Sequence, residues 1–459
     1  MAAIYWFDPD CDEQAIPRRP GSTPGRPARR LAADLELLPL FLADAADVVL
    51  VRAAPRPGFL ASWRAAGWSL PRTVVVPHGA IDTGVLAAVA SALDAGAART
   101  GAADAAGAPG RPVRLCPWGW SPDTAAFLAP LAALGTLEPA PEWHPARAAI
   151  YSKALGAGLL ARFLRRHPSP HLCPATAVGA VCADRAEVGA ALARAVAASA
   201  TGQAVVKALY GQAGRRQLIV SSPNLEDQQA AWVDRALKDQ GAVVVEAWLE
   251  RVMDLSVHLE LAAGGSCVVV GQAAFLADSR GHFRGAIVRP APAALAPARL
   301  PPPRVLDSLA AGLAETVGDA LRELGHVGPA GVDMLVYRAG SRFLLKPIVE
   351  INPRFTMGRL ALCLARRVAR EAAALWLLIS ARQAAAAGWA SLGRLGACLA
   401  ERRRPVLAAD GIRSGVLCTS DPARATGFLS LLVVDRDLAT CQRVVDEVLP
   451  GWRAGVVWP

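Results

Sequence analysis

The stretch Gly331 to Gly358, GVDMLVYRAGSRFLLKPIVEINPRFTMG, constrains the chain more than any other. It reads as two antiparallel strands, Gly331 to Tyr337 and Phe343 to Ile351, separated by a turn at Ala339–Gly340. That hairpin sets Asp333 beside Glu350 and Asn352. Residues two apart on a strand point to the same face, so Glu350 and Asn352 project together. Two carboxylates and one amide oxygen make an oxygen-only donor set. Mg2+ accepts such a set and keeps waters and phosphate oxygens in its remaining positions. Arg354 repeats the two-residue spacing and can place a guanidinium on a phosphoryl group in transfer. The same letters also describe a strand pair ending in a polar turn, with Glu350 and Arg354 paired only to each other. The stretch alone does not choose between the two.

Other segments carry weaker signals. In Val205 to Arg216, VVKALYGQAGRR, a lysine at a strand end precedes a glycine loop. Lys207 can set an ammonium on phosphates while backbone N–H groups cradle them. This is no Walker A loop, since GxxxxGK[ST] is absent, and taken alone it reads better as an ordinary turn. In Val243 to Leu261, VVVEAWLERVMDLSVHLEL, Glu246 ends a buried strand and Asp254 opens the next. A linker with Trp248 and Leu249 can hold a flat purine by backbone hydrogen bonds and apolar contact, and an acid there suits ribose hydroxyls. Taken alone, solvated acids around a strand–loop–strand describe it better. Ser279 to Arg289 carries Arg280, Arg284 and Arg289 around glycines. These can grip a carboxylate, or make a solvated basic hairpin, about equally well. The tryptophans of PWGWS, Trp118 and Trp120, are expected to pack rather than bind. His258 and Glu260, alternating on one strand, are expected to be structural or to support a site without touching its ligand, and no GxSxG signature is present.

Around these segments the texture is α/β. Residues 1 to about 140 alternate short β-like runs with Ala/Leu-rich helical stretches. Asp47 to Arg52 and Thr73 to Pro77 read as buried parallel strands, and Ala95 to Arg111 as a loop or linker. Further on, Ala148 to Arg166 reads as one helix, Thr176 to Val181 as a strand and Arg185 to Ala200 as a helix. A proline-rich linker, Pro290 to Pro303, precedes a helix from Val305 to Leu324. A strand from Phe428 to Val434 and a helix from Leu438 to Val448 lie near the end. The chain is 459 residues long, which at about 150 residues per domain suggests about three. The expected division is an N-terminal α/β domain over 1–140, an α+β body over 141–395 and a small α+β segment over 396–459.

Composition excludes some classes. Hydrophobic residues make up 53% and charged residues 19%, enough for a sizeable core. The mean hydropathy is positive, +0.30, yet no window offers the roughly 20 apolar residues of a membrane span. The best candidate, Glu371 to Ser380, is followed at once by Arg382. The opening residues MAAIYWFDPDCDE carry no basic n-region and are not read as a secretory signal. Nine cysteines are scattered with no CxxC, which suits reduced thiols in a cytoplasm. The net charge of +10 comes from dispersed, mostly arginine residues with no nucleic-acid module. A taste for phosphate or carboxylate explains it as well.

The order of the parts adds what no single segment supplies. Lys153 at a helix start, Lys207 on a strand, a glycine loop, VVVE and then D…ExN resemble the ATP-grasp superfamily over roughly residues 145–365. The YWFDPD, PWGWS, QGAVVVE…VMDLSVHLEL and GPAGVDM…VEINPRFTMG segments are similar to an uncharacterised branch of ATP-grasp proteins that look like carboxylate–amine ligases. The resemblance implies an ATP-grasp fold behind an N-terminal pre-ATP-grasp domain. It implies that Lys153 and Lys207 bind ATP phosphates and that Gly211, Gly214 and Arg215 form a mobile lid. Glu246, Trp248 and Leu249 would line the adenine site and Asp254 would take the ribose. Asp333, Glu350 and Asn352 would hold one or two Mg2+ ions, Mn2+ being an alternative. Arg354 would face the γ-phosphate or an acyl phosphate, with Arg284 on the carboxylate as a further catalytic candidate. The expected reaction joins a small-molecule carboxylate to an amine, amino acid or peptide-like, at the expense of ATP. A kinase-like phosphotransferase and a non-catalytic nucleotide-binding scaffold are the alternatives. No nucleic acid or membrane partner is expected, and the oligomeric state is open, a homodimer included.

Overall fold

The computed structural model describes residues 1–15, 26–99, 112–135, 143–211, 217–278, 281–295, 300–453 and 456–457. The fold is mixed α/β, and the chain forms two compact units. The first comprises Met1–Trp143, Arg284–Pro290 and Arg359–Ala454. The second comprises His144–Phe283, Ala291–Gly358 and Gly455–Pro459.

The first unit opens with four parallel strands, β1 (Ala2–Trp6), β2 (Val48–Val51), β3 (Arg72–Val75) and β4 (Val113–Pro117), in the order β3-β2-β1-β4. Ile4, Trp6, Val48 and Leu50 pack with Val85 and Val89 of the helix Thr83–Arg99 and with Leu128 and Leu131. β2 is buried at all four positions, as its apolar run requires. β3 is not: it is the edge strand and buries only Val74, which corrects the expectation of a second fully buried strand. The stretch expected as a linker from Ala95 instead continues the helix to Arg99, since alanine favours it. Residues 100–111 lie outside the described residues.

In the second unit, β5 (Ala180–Cys182), β6 (Ala204–Ala208), β7 (Gln217–Val220) and β8 (Val243–Ala247) form an antiparallel sheet in the order β5-β8-β6-β7. Val206, Val220, Val243 and Val245 bury against Val188 and Leu192 of the helix Arg185–Ala198 and Val233 of the helix Asp227–Gln240. β9 (Glu250–Leu261) and β10 (Cys267–Asp278) follow in the same unit. The strand β11 (Phe283–Arg289) lies almost wholly in the first. β12 (Gly328–Ala339) and β13 (Arg342–Asn352) return to the second unit and complete an antiparallel run β13-β12-β9-β10. Back in the first unit, β14 (Ala373–Ser380), β15 (Val406–Ala408), β16 (Gly411–Cys418) and β17 (Phe428–Asp435) neighbour β11 in the order β11-β14-β17-β16-β15. A last short strand, β18 (Val456–Val457), pairs with β10.

Local differences from expectation have physical causes. Ala148 to Arg166 is not one helix. A 3-10 segment, Pro145–Tyr151, precedes the α-helix Lys153–Arg166. Ser152 separates them with extended backbone, and its hydroxyl caps the second by accepting from the Ala154 N–H at 3.2 Å. The expected strand from Thr176 is a 3-10 turn, Ala175–Ala177, and only the three residues of β5 pair. Residues 396–453 stand within the first unit. The buried Asp34 carboxylate explains the attachment, accepting the backbone N–H groups of Thr426, Gly427 and Phe428 at 2.9, 2.7 and 2.8 Å. Glu36 adds an ion pair from Arg424 at 2.6 Å. The apolar run ending at Ser380 is the buried strand β14. Among the described residues no helix is long and apolar enough to cross a membrane.

Candidate functional site

The site is built on one face of the second unit's larger sheet. In register, Asp333 of β12 lies opposite Glu350 of β13 on one side and Ser256 of β9 on the other. Gly331 lies between Asn352 and His258 in the same way. Alternation then puts Asp333, Glu350 and Asn352 on a common face, as the hairpin spacing implies. The register shifts between Asp333 and Leu335, so Leu335 lies opposite Lys346. This irregularity brings a second charged residue of β13 onto the same stretch of sheet.

A lysine from elsewhere in the unit meets this face. Lys153, the first residue of its helix, donates to Glu350 Oε1 at 2.7 Å and to the Gly211 carbonyl at 2.8 Å. Its own N–H donates to the Leu209 carbonyl at 2.9 Å. Gln240 holds the same loop through both backbone groups of Tyr210. Glu350 therefore has a partner far along the chain, so a pair made only with Arg354 at the strand end does not describe it. Arg354 donates to Asn352 Oδ1 at 2.9 Å, and Asn352 Nδ2 donates to Asp333 Oδ2 at 3.0 Å. Gly214 and Arg215 lie outside the described residues.

The second cluster joins the two sheets of this unit. Lys207 of β6 and Lys346 of β13 both donate to Glu246 Oε2 of β8, at 2.9 and 2.8 Å. Lys207 and Lys346 are buried and Glu246 is nearly so, Lys346 most deeply at 3% exposure. Burial would raise the Glu246 carboxyl, but the two ammonium groups carry it down to about 2. Burial lowers Lys207, with Glu246 opposing and the like charges of Lys346 and Lys153 adding to the fall. Glu350 follows the same logic. Burial opposes its charge, yet Lys153, Lys207 and Arg354 bring its carboxyl below the ordinary range. For Asp333 burial and the Glu350 charge outweigh the pull of Arg354 and of the Asn352 hydrogen bond, and push it up to about 7.

Asp254 stands in the middle of β9 instead of opening it. It is 5% exposed, and Arg251 pairs with its Oδ1. Its Oδ2 is buried and accepts no hydrogen bond from any described residue, and burial raises its carboxyl against the pull of Arg251. An orphaned carboxylate oxygen suits a hydroxyl donor from outside. The connection between β8 and β9 is only Trp248 and Leu249. The Trp248 N–H already donates to the Gln203 carbonyl at 2.9 Å. Its carbonyl accepts from Ser199 and Thr201 at 2.6 and 3.1 Å. Trp248 thus offers its ring but not its backbone, which corrects the expectation of backbone hydrogen bonds at that residue. Trp248, Leu249, Lys207, Glu246 and Lys346 line a small cavity of about 30 Å3.

Behind the trio, His258 is buried between Ser256 Oγ at 2.8 Å and Thr356 Oγ1 at 3.3 Å. A Cβ on Gly358 would collide with His258 Nε2, so glycine lets the chain after Arg354 press onto the imidazole. His258 is structural, as its place in the strand suggests. In the first unit, Trp118 and Trp120 are 3% and 8% exposed and Trp118 packs edge-on to Phe7, so PWGWS packs. Arg284 stands in β11, in the first unit.

Lys346 and Arg251 were not singled out from the sequence. A signal for the first existed: the two-residue period from Asn352 and Glu350 passes through Ile348 to Lys346. Asp333, Glu350 and Asn352 offer only oxygens. Among the described residues no group of three or more His, Cys, Asp or Glu is placed to hold a metal. Two carboxylates and an amide fit a hard cation that keeps waters and substrate oxygens, and do not make a closed protein cage.

No family model matches the chain, and no curated protein does. Solved structures do. N5-carboxyaminoimidazole ribonucleotide synthetase from Thermus thermophilus is 12% identical, with 98% of this chain and 99% of that chain covered and a TM-score of 0.47. Biotin carboxylase from Campylobacter jejuni, solved as a β-γ-ATP complex, is also 12% identical, with 97% and 90% covered and a TM-score of 0.47. N5-carboxyaminoimidazole synthetase from Staphylococcus aureus, complexed with ADP, is 11% identical, with 98% and 96% covered and a TM-score of 0.46. Likeness at this level leaves function to be argued from the residues.

Proposed function

We propose that the chain is an ATP- and Mg2+-dependent ligase of the ATP-grasp kind, which activates a carboxylate as an acyl phosphate for attack by an amine. The observation that carries this reading is the 2.7 Å contact from Lys153 to Glu350, 197 residues apart in the chain. With Lys207 and the Asp333–Asn352–Arg354 chain of hydrogen bonds in the same unit, it gathers ammonium groups and an oxygen-only donor set in one place. Such a set suits a triphosphate and a divalent ion.

The chemistry needs positioning and charge neutralisation more than a protein nucleophile. A carboxylate oxygen attacks the γ-phosphorus, the bond to the β–γ bridging oxygen breaks, and ADP leaves. The amine nitrogen then attacks the acyl carbon, and phosphate and a proton depart. Asp333, Glu350 and Asn352 would hold Mg2+, which supplies positive charge to the phosphate oxygens. Lys153 and Lys207 orient the triphosphate, and Arg354 faces the group in transfer. Trp248 and Leu249 give the base an apolar wall, and the unpartnered Asp254 oxygen accepts from a ribose hydroxyl. Water must be kept from the acyl phosphate.

The test is ADP release with Mg2+-ATP and pools of small acids and amines. A ligase releases ADP and phosphate only when acid and amine are both present. A stable phosphorylated product without the amine would make the protein a phosphotransferase. No turnover and no nucleotide binding would overturn the reading.

A further inference from the structure

Glu246 presents one oxygen to two buried ammonium groups, which leaves this part of the unit with a surplus of positive charge. The two lysines are not equivalent. Lys346 is 3% exposed, mid-strand, between the buried Leu345 and Pro347. Lys207 is 11% exposed, lies one strand pairing from the Lys153 loop, and feels the charges of both other lysines. An anion brought to this cluster therefore draws on Lys207 first. If Lys207 turned to it with no other cation on Glu246, a buried carboxylate would be left unpaired, which is strongly unfavourable.

We propose that Lys346 is a positioning residue: it stays on Glu246 so that Lys207 can leave that carboxylate for a phosphate oxygen of the nucleotide. This rests on the nucleotide reading above and goes beyond it, since neither the hairpin spacing nor the ordered set of parts gives Lys346 a role. The exchange keeps every charge paired. Before binding, Glu246 has two partners. Afterwards it has one, and Lys207 has the phosphate. Burial and the neighbouring ammonium groups already disfavour the charged form of Lys207, so an anion close by relieves it.

The test is calorimetric binding of ADP and of adenosine to the wild type, Lys346→Gln, Lys207→Gln and the double variant. Lys346→Gln leaves Glu246 paired with Lys207, so the fold should persist, and a thermal melt checks it. The expected result is a tenfold or greater loss of ADP affinity in Lys346→Gln with adenosine affinity unchanged. In the Lys207→Gln background the same substitution should have no further effect on ADP. Equal losses for ADP and adenosine would make Lys346 part of the base pocket and overturn the proposal. Additive losses in the double variant would mean that Lys346 meets the phosphates itself, and would also overturn it. If the wild type binds neither ligand, the nucleotide reading fails first and this inference with it. If the wild type binds ADP and Lys346→Gln binds it equally well, only the inference fails.

Discussion

Replacing Glu246 by glutamine takes one negative charge from between two buried ammonium groups and changes little in shape. In the native protein those groups hold the Glu246 carboxyl at about 2, against an ordinary value of 4.5. The difference corresponds to about 3 kcal/mol of folding stability. Because the folded value is depressed, that stability is present above pH about 4.5 and is lost as the pH falls towards about 2. Glutamine keeps one acceptor for the lysines but leaves two like charges, Lys207 and Lys346, without a counter-ion. Breaking a buried pair in this way typically removes about 3–5 kcal/mol. The two routes agree in size. Glu246→Gln should therefore lower the unfolding free energy of the second unit by about 3–5 kcal/mol at pH 7. It should also flatten the acid limb of the stability curve. Adding Lys346→Met removes one of the opposed charges and should return at least about 1 kcal/mol. Urea denaturation followed by circular dichroism over a pH series measures all three effects. A Glu246→Gln protein within about 0.5 kcal/mol of wild type, with an unchanged acid limb, would refute the electrostatic account of this cluster.

Glu350→Gln should abolish turnover while leaving the melting temperature within a few degrees, because it removes metal-directed charge and keeps the shape that meets Lys153. Near-normal steady-state rates would remove Glu350 from the proposed metal set. Gly179→Ala places a Cβ 2.5 Å from Val244 Cγ1 and 2.9 Å from Glu246 Cγ. It should destabilise the fold by about 1–3 kcal/mol and weaken nucleotide binding, as denaturation and calorimetry would show. Asp34→Ala leaves three backbone N–H groups of 426–428 without their acceptor. It should cost about 3 kcal/mol or more in denaturation of the first unit and leave ADP affinity unchanged.

What the sequence made legible follows strand periodicity. The Asp333, Glu350 and Asn352 face could be read because spacing by two survives folding unchanged, and because a short turn at Gly340, φ +62°, fixes the register of the pair. The same period reaches Lys346, but its apolar flanks hide it, and its partner Glu246 lies 100 residues earlier. Contacts at that range are set by how two sheets pack, which no local pattern encodes. The partner of Glu350 is the same kind of case. Arg354 is near in sequence, Lys153 is far, and the helix start that delivers Lys153 depends on the Ser152 cap. Trp248 shows the converse. Its place beside Glu246 was legible, but Ser199 and Thr201, which occupy its carbonyl, belong to the end of another helix. The attachment of residues 396–453 to the first unit likewise uses contacts made at long range, Asp34 with the 426–428 loop and Glu36 with Arg424 among them.

The most direct measurement is the structure of the protein crystallised with Mg2+ and a non-hydrolysable ATP analogue. The account predicts one nucleotide, its phosphate oxygens within hydrogen-bond distance of the Lys153 and Lys207 ammonium groups, and its ion on Asp333, Glu350 and Asn352. A nucleotide bound elsewhere, with Lys153 still on Glu350 and no ion on the trio, would contradict it.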